Sequence, residues 1–263
     1  MTSILNTIIK EKKREVERLK VEEIAATVIT ERHSFIHRLQ NNTQLAIIAE
    51  FKRASPSKGD INLVIDPERQ AFEYEKYGAA AISVLTDSTF FKGSFADLTA
   101  ISNTVNIPVL CKDFIIDEKQ IMKAKMAGAD LILLIAAVLE RKRLNELYSF
   151  AIQNGLDVLI ETHNEMEVEM AIETGTKLIG VNNRDLNTFK VDLKVTDRLA
   201  PLIKNAGSFL ISESGIQTAE DCFRVQRAGA DGILVGEAFM KARNLHHLMK
   251  MMKQQSAKGV NTR

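Results

Sequence analysis

The sequence predicts an α/β fold, a (β/α)8 TIM barrel with an N-terminal helical extension. Three observations carry that expectation. First, six segments share one grammar: KYGAAAISVLTD, MAGADLILLIAA, QNGLDVLIETHN, ETGTKLIGVNNR, NAGSFLISESGI and RAGADGILVGEA. In each, a glycine ends a helix-like stretch, as a left-handed C-cap does, and a short aliphatic run follows. Second, the runs (AISVL, LILLI, DVLI, KLIGV, FLIS, GILV) are mostly apolar and do not alternate, the signature of parallel strands covered on both faces. Third, two further runs, LAIIAEFK and IPVLCKDF, bring the number of strands to eight at regular intervals. Right-handed β-α-β units repeated that often close on themselves. An open doubly wound sheet is the alternative, and the absence of a long insertion argues for closure.

In chain order, residues 1–44 form the extension. Ile4, Leu5, Ile8, Ile9, Val16 and Leu19 make a helical apolar stripe, and the charge run KEKKRE is read as its solvated face. The segment is expected to pack on the barrel and to cover its mouth. Asp66-Pro67-Glu68 supplies a cap, a first-turn proline and a dipole-matched acid for the first barrel helix, which ends at Gly78. Asp117 opens a later helix in the same way. Pro108 stands at the start of the third strand, where a missing donor is tolerated. The strands are expected to end near Lys52, Leu85, Lys112, Ile135, Glu161, Asn182, Glu213 and Gly236. Residues 45–250 are assigned to the barrel and 251–263 to a polar, frayed tail, all within one domain and without a further one.

Composition sets outer bounds. The 263 residues are 45% hydrophobic and 26% charged, material for one large core. Lys+Arg total 35 and Asp+Glu 34, so the net charge of +1 gives no bulk footprint for nucleic acid or an anionic membrane. Cys111 and Cys222 are far apart, lack a C-x-x-C pattern and read as buried, inert thiols in a reducing compartment. The N-terminus gives way to charge without a cleavage-site pattern, and no apolar run approaches the roughly 20 residues of a membrane span. A cytoplasmic protein acting on a small molecule is expected.

Active sites of this fold gather at the C-terminal ends of the strands. Those ends carry Glu50 and Lys52, Lys112 and Asp113, Glu161, then Asn182, Asn183 and Arg184, then Glu213 and Ser214. Glu50 and Lys52 are two residues apart and share a face where the strand runs out. Buried acids and amines are costly unless paired or used. Each has a plainer reading: a barrel ion pair for Glu50 and Lys52, a rim lysine for Lys112, a loop acid for Glu161, a turn salt bridge for Arg184 and Asp185. Asp113 and Asp185 are read as structural, and His163 as a loop residue. His33 and His37 have helical i,i+4 spacing but no third ligand, so no metal site is assigned. Gly215 in SESGI and Gly236 in ILVGEA suit an anion cradle after strands seven and eight. The Ser-Pro-Ser-Lys-Gly that follows Lys52 makes a loop able to fold over a ligand, with Pro56 stiffening it, Gly59 as hinge and Lys58 in reach.

Taken together, AEFKRASPSKG, SVLTDSTFF, KDFIID, LIETHN, GVNNRDL, ISESGI and LVGEA resemble the indole-3-glycerol-phosphate synthase family of tryptophan biosynthesis, over most of the chain. Two positions depart from its pattern: Lys92 stands where glycine is expected, and Cys111 where arginine is common. The resemblance implies ring closure, decarboxylation and dehydration of 1-(2-carboxyphenylamino)-1-deoxyribulose 5-phosphate, by a monomer, without metal or organic cofactor. It also implies roles. Lys112 is the general acid and Glu161 the general base. Lys52 holds the carboxylate and shares in proton delivery, and Glu50 steadies the lysines. Asn182 orients the substrate and Arg184 supports the rim. Ser55, Pro56, Phe114, Ser214, Glu213, Gly215, Leu234, Val235 and Gly236 contact the substrate or its phosphate, Ser214 standing with the catalytic set. Two rivals remain. A phosphoribosylanthranilate isomerase-like barrel shares the phosphate grip but uses a cysteine at the end of strand one, where this chain has Glu50 and Lys52. A non-catalytic phosphosugar-binding barrel needs the grip but not Lys112 and Glu161 together.

Overall fold

The computed structural model describes residues 4–19, 33–186 and 188–258. Eight parallel strands close into a barrel: β1 (Ala46–Phe51), β2 (Ala81–Leu85), β3 (Val109–Lys112), β4 (Leu131–Ile135), β5 (Asp157–Thr162), β6 (Leu178–Asn182), β7 (Phe209–Glu213) and β8 (Gly232–Val235). Neighbours in sequence are neighbours in the sheet, and β1 closes it by pairing Ala46 with Gly232 on β8 and Ile48 with Ala81 on β2. The continuous apolar runs follow from this geometry, because each strand is buried on both faces. Ile48, Leu110, Leu133, Leu159 and Ile211 fill the barrel interior. Ile47, Ile82, Val84, Ile132 and Val158 point outward into the layer beneath the helices.

The helices begin and end where local chemistry dictates. Asp66 caps α3 (Pro67–Lys76) by accepting from Arg69 N, with Pro67 in the first turn. Asp117 and Gln120 form a reciprocal capping box on α5 (Glu118–Met126), as Thr218 and Asp221 do on α9 (Ala219–Ala228). Gly78 and Gly229, with φ of 87° and 114°, turn the chain from helix to strand in a conformation that side chains disfavour. The final helix, α11 (Leu245–Lys258), runs past residue 251, where the sequence suggested a tail. Met249 and Met252, one turn apart, are buried and extend its anchored face beyond that point.

The residues before β1 serve both ends of the barrel. Phe35 and Leu39, on α2 (Phe35–Gln40), join the interior cluster. Asp130 and Asp157 fix the approach to that helix: Asp130 accepts from His33 N, and Asp157 from Ser34 Oγ and Ile36 N. At the other end, Ile4, Leu5 and Ile8 of α1 (Ile4–Arg18) line the cavity at the barrel mouth.

The charge run KEKKRE is not uniformly solvated. Lys12 is only 2% exposed, and its Nζ lies 2.9 Å from Asp87 and 2.8 Å from Asp113. Burial alone would lower the lysine's pKa; Asp113 and Asp87 outweigh it and hold the group cationic. Lys12→Met would strand both carboxylates. Removing one partner of a buried pair typically costs about 3–5 kcal/mol, but α1 can lift and rehydrate the acids, so a loss of about 2 kcal/mol is expected. Urea unfolding with hydrogen exchange on α1 checks this; unchanged protection of α1 would show that Lys12 is not its anchor.

Candidate active site

The side chains at the mouth are positioned by strand alternation. Glu50 and Lys52 follow Ile48, whose side chain faces the barrel interior, so Glu50 emerges on the inward face just where β1 ends. Lys112 ends β3, Glu161 stands one residue from the end of β5, and Asn182 ends β6. Together they line a cavity of about 720 Å³, with Ile4, Leu5, Ile8, Phe91 and Phe189 among its apolar walls.

Its floor is a network of alternating charge. The Glu50 carboxylate, only 3% exposed, pairs with Lys52 through Oε1 and with Lys112 through Oε2, the latter at 3.2 Å. Lys112 Nζ also donates to Glu213 Oε2 at 3.0 Å. Burial pushes the Glu50 pKa up, but the Lys52 and Lys112 cations outweigh it and hold the carboxyl at about 2. Burial works against the Lys112 cation too, and Glu213, Glu50 and Glu161 together override it and raise its pKa. Glu213 is different: burial dominates, the nearby Glu161 and Glu50 add to it, and despite Lys112 its carboxyl is pushed up to about 7. Glu161 accepts from Asn182 Nδ2 at 3.0 Å, and Asn182 Oδ1 accepts from Arg184 N at 3.0 Å.

Two glycines make room for these acids. A Cβ on Gly180 would overlap the Glu213 carboxylate, and one on Gly236 would overlap that of Glu50. Gly236 thus has a structural need beside any approach to an anion.

The structure brings Ser55, Pro56, Phe114, Arg184, Ser214, Gly215, Leu234, Val235 and Gly236 to the same cavity as Glu50, Lys52, Lys112, Glu161 and Asn182. Glu213 follows the inward-facing Ile211 by two residues, so it too stands on the inward face at the end of β7, only 1% exposed and with its carboxylate against Lys112 Nζ. Asn183, next to Asn182 in sequence, turns away: its Nδ2 donates to Ser212 Oγ and Glu213 O, and its Oδ1 accepts from Thr196, tying β6 to β7 and α8 (Lys194–Asn205). Asp113 is structural, accepting from Thr86 Oγ1 and pairing with Lys12. His163, read as a loop residue, lies in the bend after β5, half-buried with its ring against Glu161. Ser214 adopts a left-handed backbone, φ 66°, followed by Gly215 at 85°. Such strain in a non-glycine residue clusters at functional sites, where the surrounding structure holds it.

The comparisons with known proteins bear on this arrangement. The sequence model of a family described as indole-3-glycerol phosphate synthase matches residues 5–252. The chain belongs to the indole-3-glycerol phosphate synthase family. An indole-3-glycerol phosphate synthase of Bacillus cereus (strain B4264) is 52% identical over 247 residues, covering 93% of this chain and 96% of that one. One from Bacillus mycoides (strain KBAB4) is 48% identical over 250 residues, 95% and 98% of the two chains. Among solved structures, thiamine phosphate pyrophosphorylase from Pyrococcus furiosus aligns with a TM-score of 0.60 at 16% identity, covering 83% of this chain and 98% of that one, a likeness of fold alone.

The two departures from the synthase pattern have local explanations. Lys92 has φ 53°, the left-handed region where glycine is favoured, and its Nζ pairs with Asp60 at 2.7 Å. A left-handed side-chain residue costs about 1–2 kcal/mol, and an exposed pair returns at most about 1 kcal/mol. Lys92→Gly is therefore expected to leave the melting temperature unchanged or raise it slightly; a clear drop would mean that the Asp60 pair outweighs the strain. Cys111 faces away from the mouth into the layer beneath the helices, where burial pushes its thiol up to about 12. It is an inert core residue.

Proposed function

We propose that this cavity closes the indole ring of 1-(2-carboxyphenylamino)-1-deoxyribulose 5-phosphate, with Lys112 as general acid and Glu161 as general base. The activity is that of the family, a carbon–carbon lyase of tryptophan biosynthesis that decarboxylates as it forms indole-3-glycerol phosphate. The single observation that supports the residue roles best is that the Lys112 ammonium and the Glu161 carboxylate line one cavity, each braced by a different set of neighbours.

The steps make distinct demands. As the aromatic carbon attacks the ketone, its oxygen becomes an alkoxide, and Lys112 delivers the proton. Its raised pKa keeps that proton in place until an oxygen far more basic than Glu50 or Glu213 develops. Carbon dioxide then leaves from the carbon that bore the carboxylate. Dehydration expels the hydroxyl with help from an acid, and Glu161 takes the remaining proton. Lys52 holds the substrate carboxylate and shares in proton delivery. Glu50, ionised throughout the ordinary pH range, balances positive charge on the anilino nitrogen. Asn182 orients the hydroxyl groups and keeps Glu161 in place, and Arg184 stiffens the rim by donating to Phe189 O. Ser55, Ser214, Gly215 and Gly236 surround the phosphate. The protein acts as a cytoplasmic monomer; among the described residues no helix is long and apolar enough to cross a membrane.

A phosphoribosylanthranilate isomerase-like site gains no support, since no cysteine stands at the end of β1. A barrel that only binds phosphosugars would not need a lysine and a glutamate on one cavity. Supplying the carboxyphenylamino deoxyribulose phosphate and following the rise of indole fluorescence tests the reading, and binding without product would favour the non-catalytic barrel.

A further inference from the structure

The loop from β5 into α7 (Glu165–Glu173) holds a buried arrangement that the steps above do not use. His163 Nδ1 lies 2.9 Å from Glu167 Oε2, and Nε2 lies 3.4 Å from Glu161 Oε1. Each ring nitrogen therefore faces a carboxylate oxygen. A neutral imidazole carries one proton and would turn a lone pair toward one of the two acids; only the doubly protonated ring offers a donor to both. Nε2 is buried and makes no hydrogen bond of full geometry, so the Glu161 carboxylate at 3.4 Å meets it as an ion pair.

Glu167 is built to hold the ring. Its Oε2 accepts from the His163 backbone N at 2.8 Å as well as from the ring, and its Oε1 accepts from Asn164 Nδ2 at 2.6 Å. Asn164 in turn caps α7 by accepting from Glu167 N. The ring is thus fixed by the first turn of a helix, and His163 does not line the cavity. We propose that His163, clamped by Glu167, is a positioning residue that keeps the Glu161 carboxylate ionised and aimed into the cavity.

The surroundings are consistent. Glu161 is faced by His163 from its own loop, by Lys112 from β3 and by Asn182 from β6, with the Glu213 carboxyl of β7 nearby. Burial pushes Glu161 up, and His163 leads the groups that bring it below the ordinary glutamate value. Glu161 and Glu167 are the charged groups that face the ring; burial lowers its pKa, and they override this and raise it to about 10. Without the imidazolium, a carboxylate this buried drifts toward its neutral form, which cannot accept a proton.

The inference rests on Glu161 being the general base, and three variants separate the two ideas. The base must be unprotonated, so the acid limb of the kcat/KM–pH profile reports Glu161 in the free enzyme. His163→Gln removes the cation but keeps an amide that can donate; the acid limb should move to higher pH by about one unit or more, the scale of losing an opposite charge at this distance. Glu167→Gln keeps an acceptor for the backbone N but weakens the hold on the ring proton, and should move the limb the same way by less. The substrate dissociation constant should change less than about threefold in both, since neither residue touches the cavity. In parallel, the His163 ring should titrate by NMR well above the ordinary histidine range in the native chain and fall toward it in Glu161→Gln. A uniform loss of turnover at all pH values with an unmoved limb would make the role merely structural and overturn the proposal, as would an ordinary titration of the native ring. Near-normal turnover in Glu161→Gln would instead remove the base itself, an outcome told apart because the ring would still titrate high in the native chain. If His163→Gln fails to fold, Glu167→Gln and the native titration decide.

Discussion

Lys112→Ala is expected to lower kcat by about 10³-fold while substrate binding falls only severalfold. The figure lies within the usual 10²–10⁴ range for loss of a positioned proton donor. The reason binding should survive is the division of labour at the mouth. Lys52 remains to meet the substrate carboxylate, and the Ser214–Gly215 turn and Gly236 remain for the phosphate, none of them touching Lys112. The variant also unmasks the floor beneath. Glu50 keeps its partner Lys52, but Glu213 loses the cation that opposes its burial, and its carboxyl, already pushed up to about 7, should rise further and become neutral at ordinary pH. That neutralisation limits the damage to stability, because a protonated buried acid escapes the cost of an unpaired charge. Steady-state kinetics with a single-turnover binding measurement checks the division. If binding is lost as steeply as turnover, Lys112 is a clamp for the substrate and the proton comes from elsewhere, with Lys52 the first alternative.

How much of this was legible in the sequence differs by level. The barrel could be read because each strand is buried on both faces and so is written as an unbroken aliphatic run, and because Gly78 and Gly229 mark where a helix must reverse. The floor could be read because strand ends converge in this fold, so that Glu50, Lys112, Glu161 and Asn182 need only end their own strands to meet. Contacts that depend on a rotation or on a partner in another element could not. Lys12 lies in a run of charge that looks solvated, and nothing local says that Asp87 and Asp113 will face it. His163 is in a loop by sequence, and the approach of its ring to Glu161 from outside the cavity depends on the bend after β5, which no local pattern marks. The place of Glu213 at the inward end of β7 could be read, but not its near-complete burial against Lys112, which depends on a side chain from β3.

Glu161→Gln should reduce kcat by about 10²-fold or more, and its pH profile should differ in shape as well as height. Glutamine preserves the size of the side chain and an oxygen for Asn182 Nδ2, so the geometry that Asn182 and Arg184 maintain is kept. What it removes is basicity. In the native protein the base must have shed its proton, and the His163 and Lys112 cations override burial to hold the Glu161 pKa below the ordinary value. Activity should accordingly persist to lower pH than a free glutamate would permit, then fall as the carboxylate takes up a proton. The amide has no such transition, so the residual rate of Glu161→Gln should lack that acid limb. Glu161→Asp supplies the complementary case. It keeps the charge but draws the carboxylate back by one methylene, so an acid limb should remain while turnover falls to an intermediate level. A glutamine variant with native turnover and a native limb would leave Glu161 as a buried counter-ion for His163 and Lys112, and the proton would have to be taken by another group on the cavity floor.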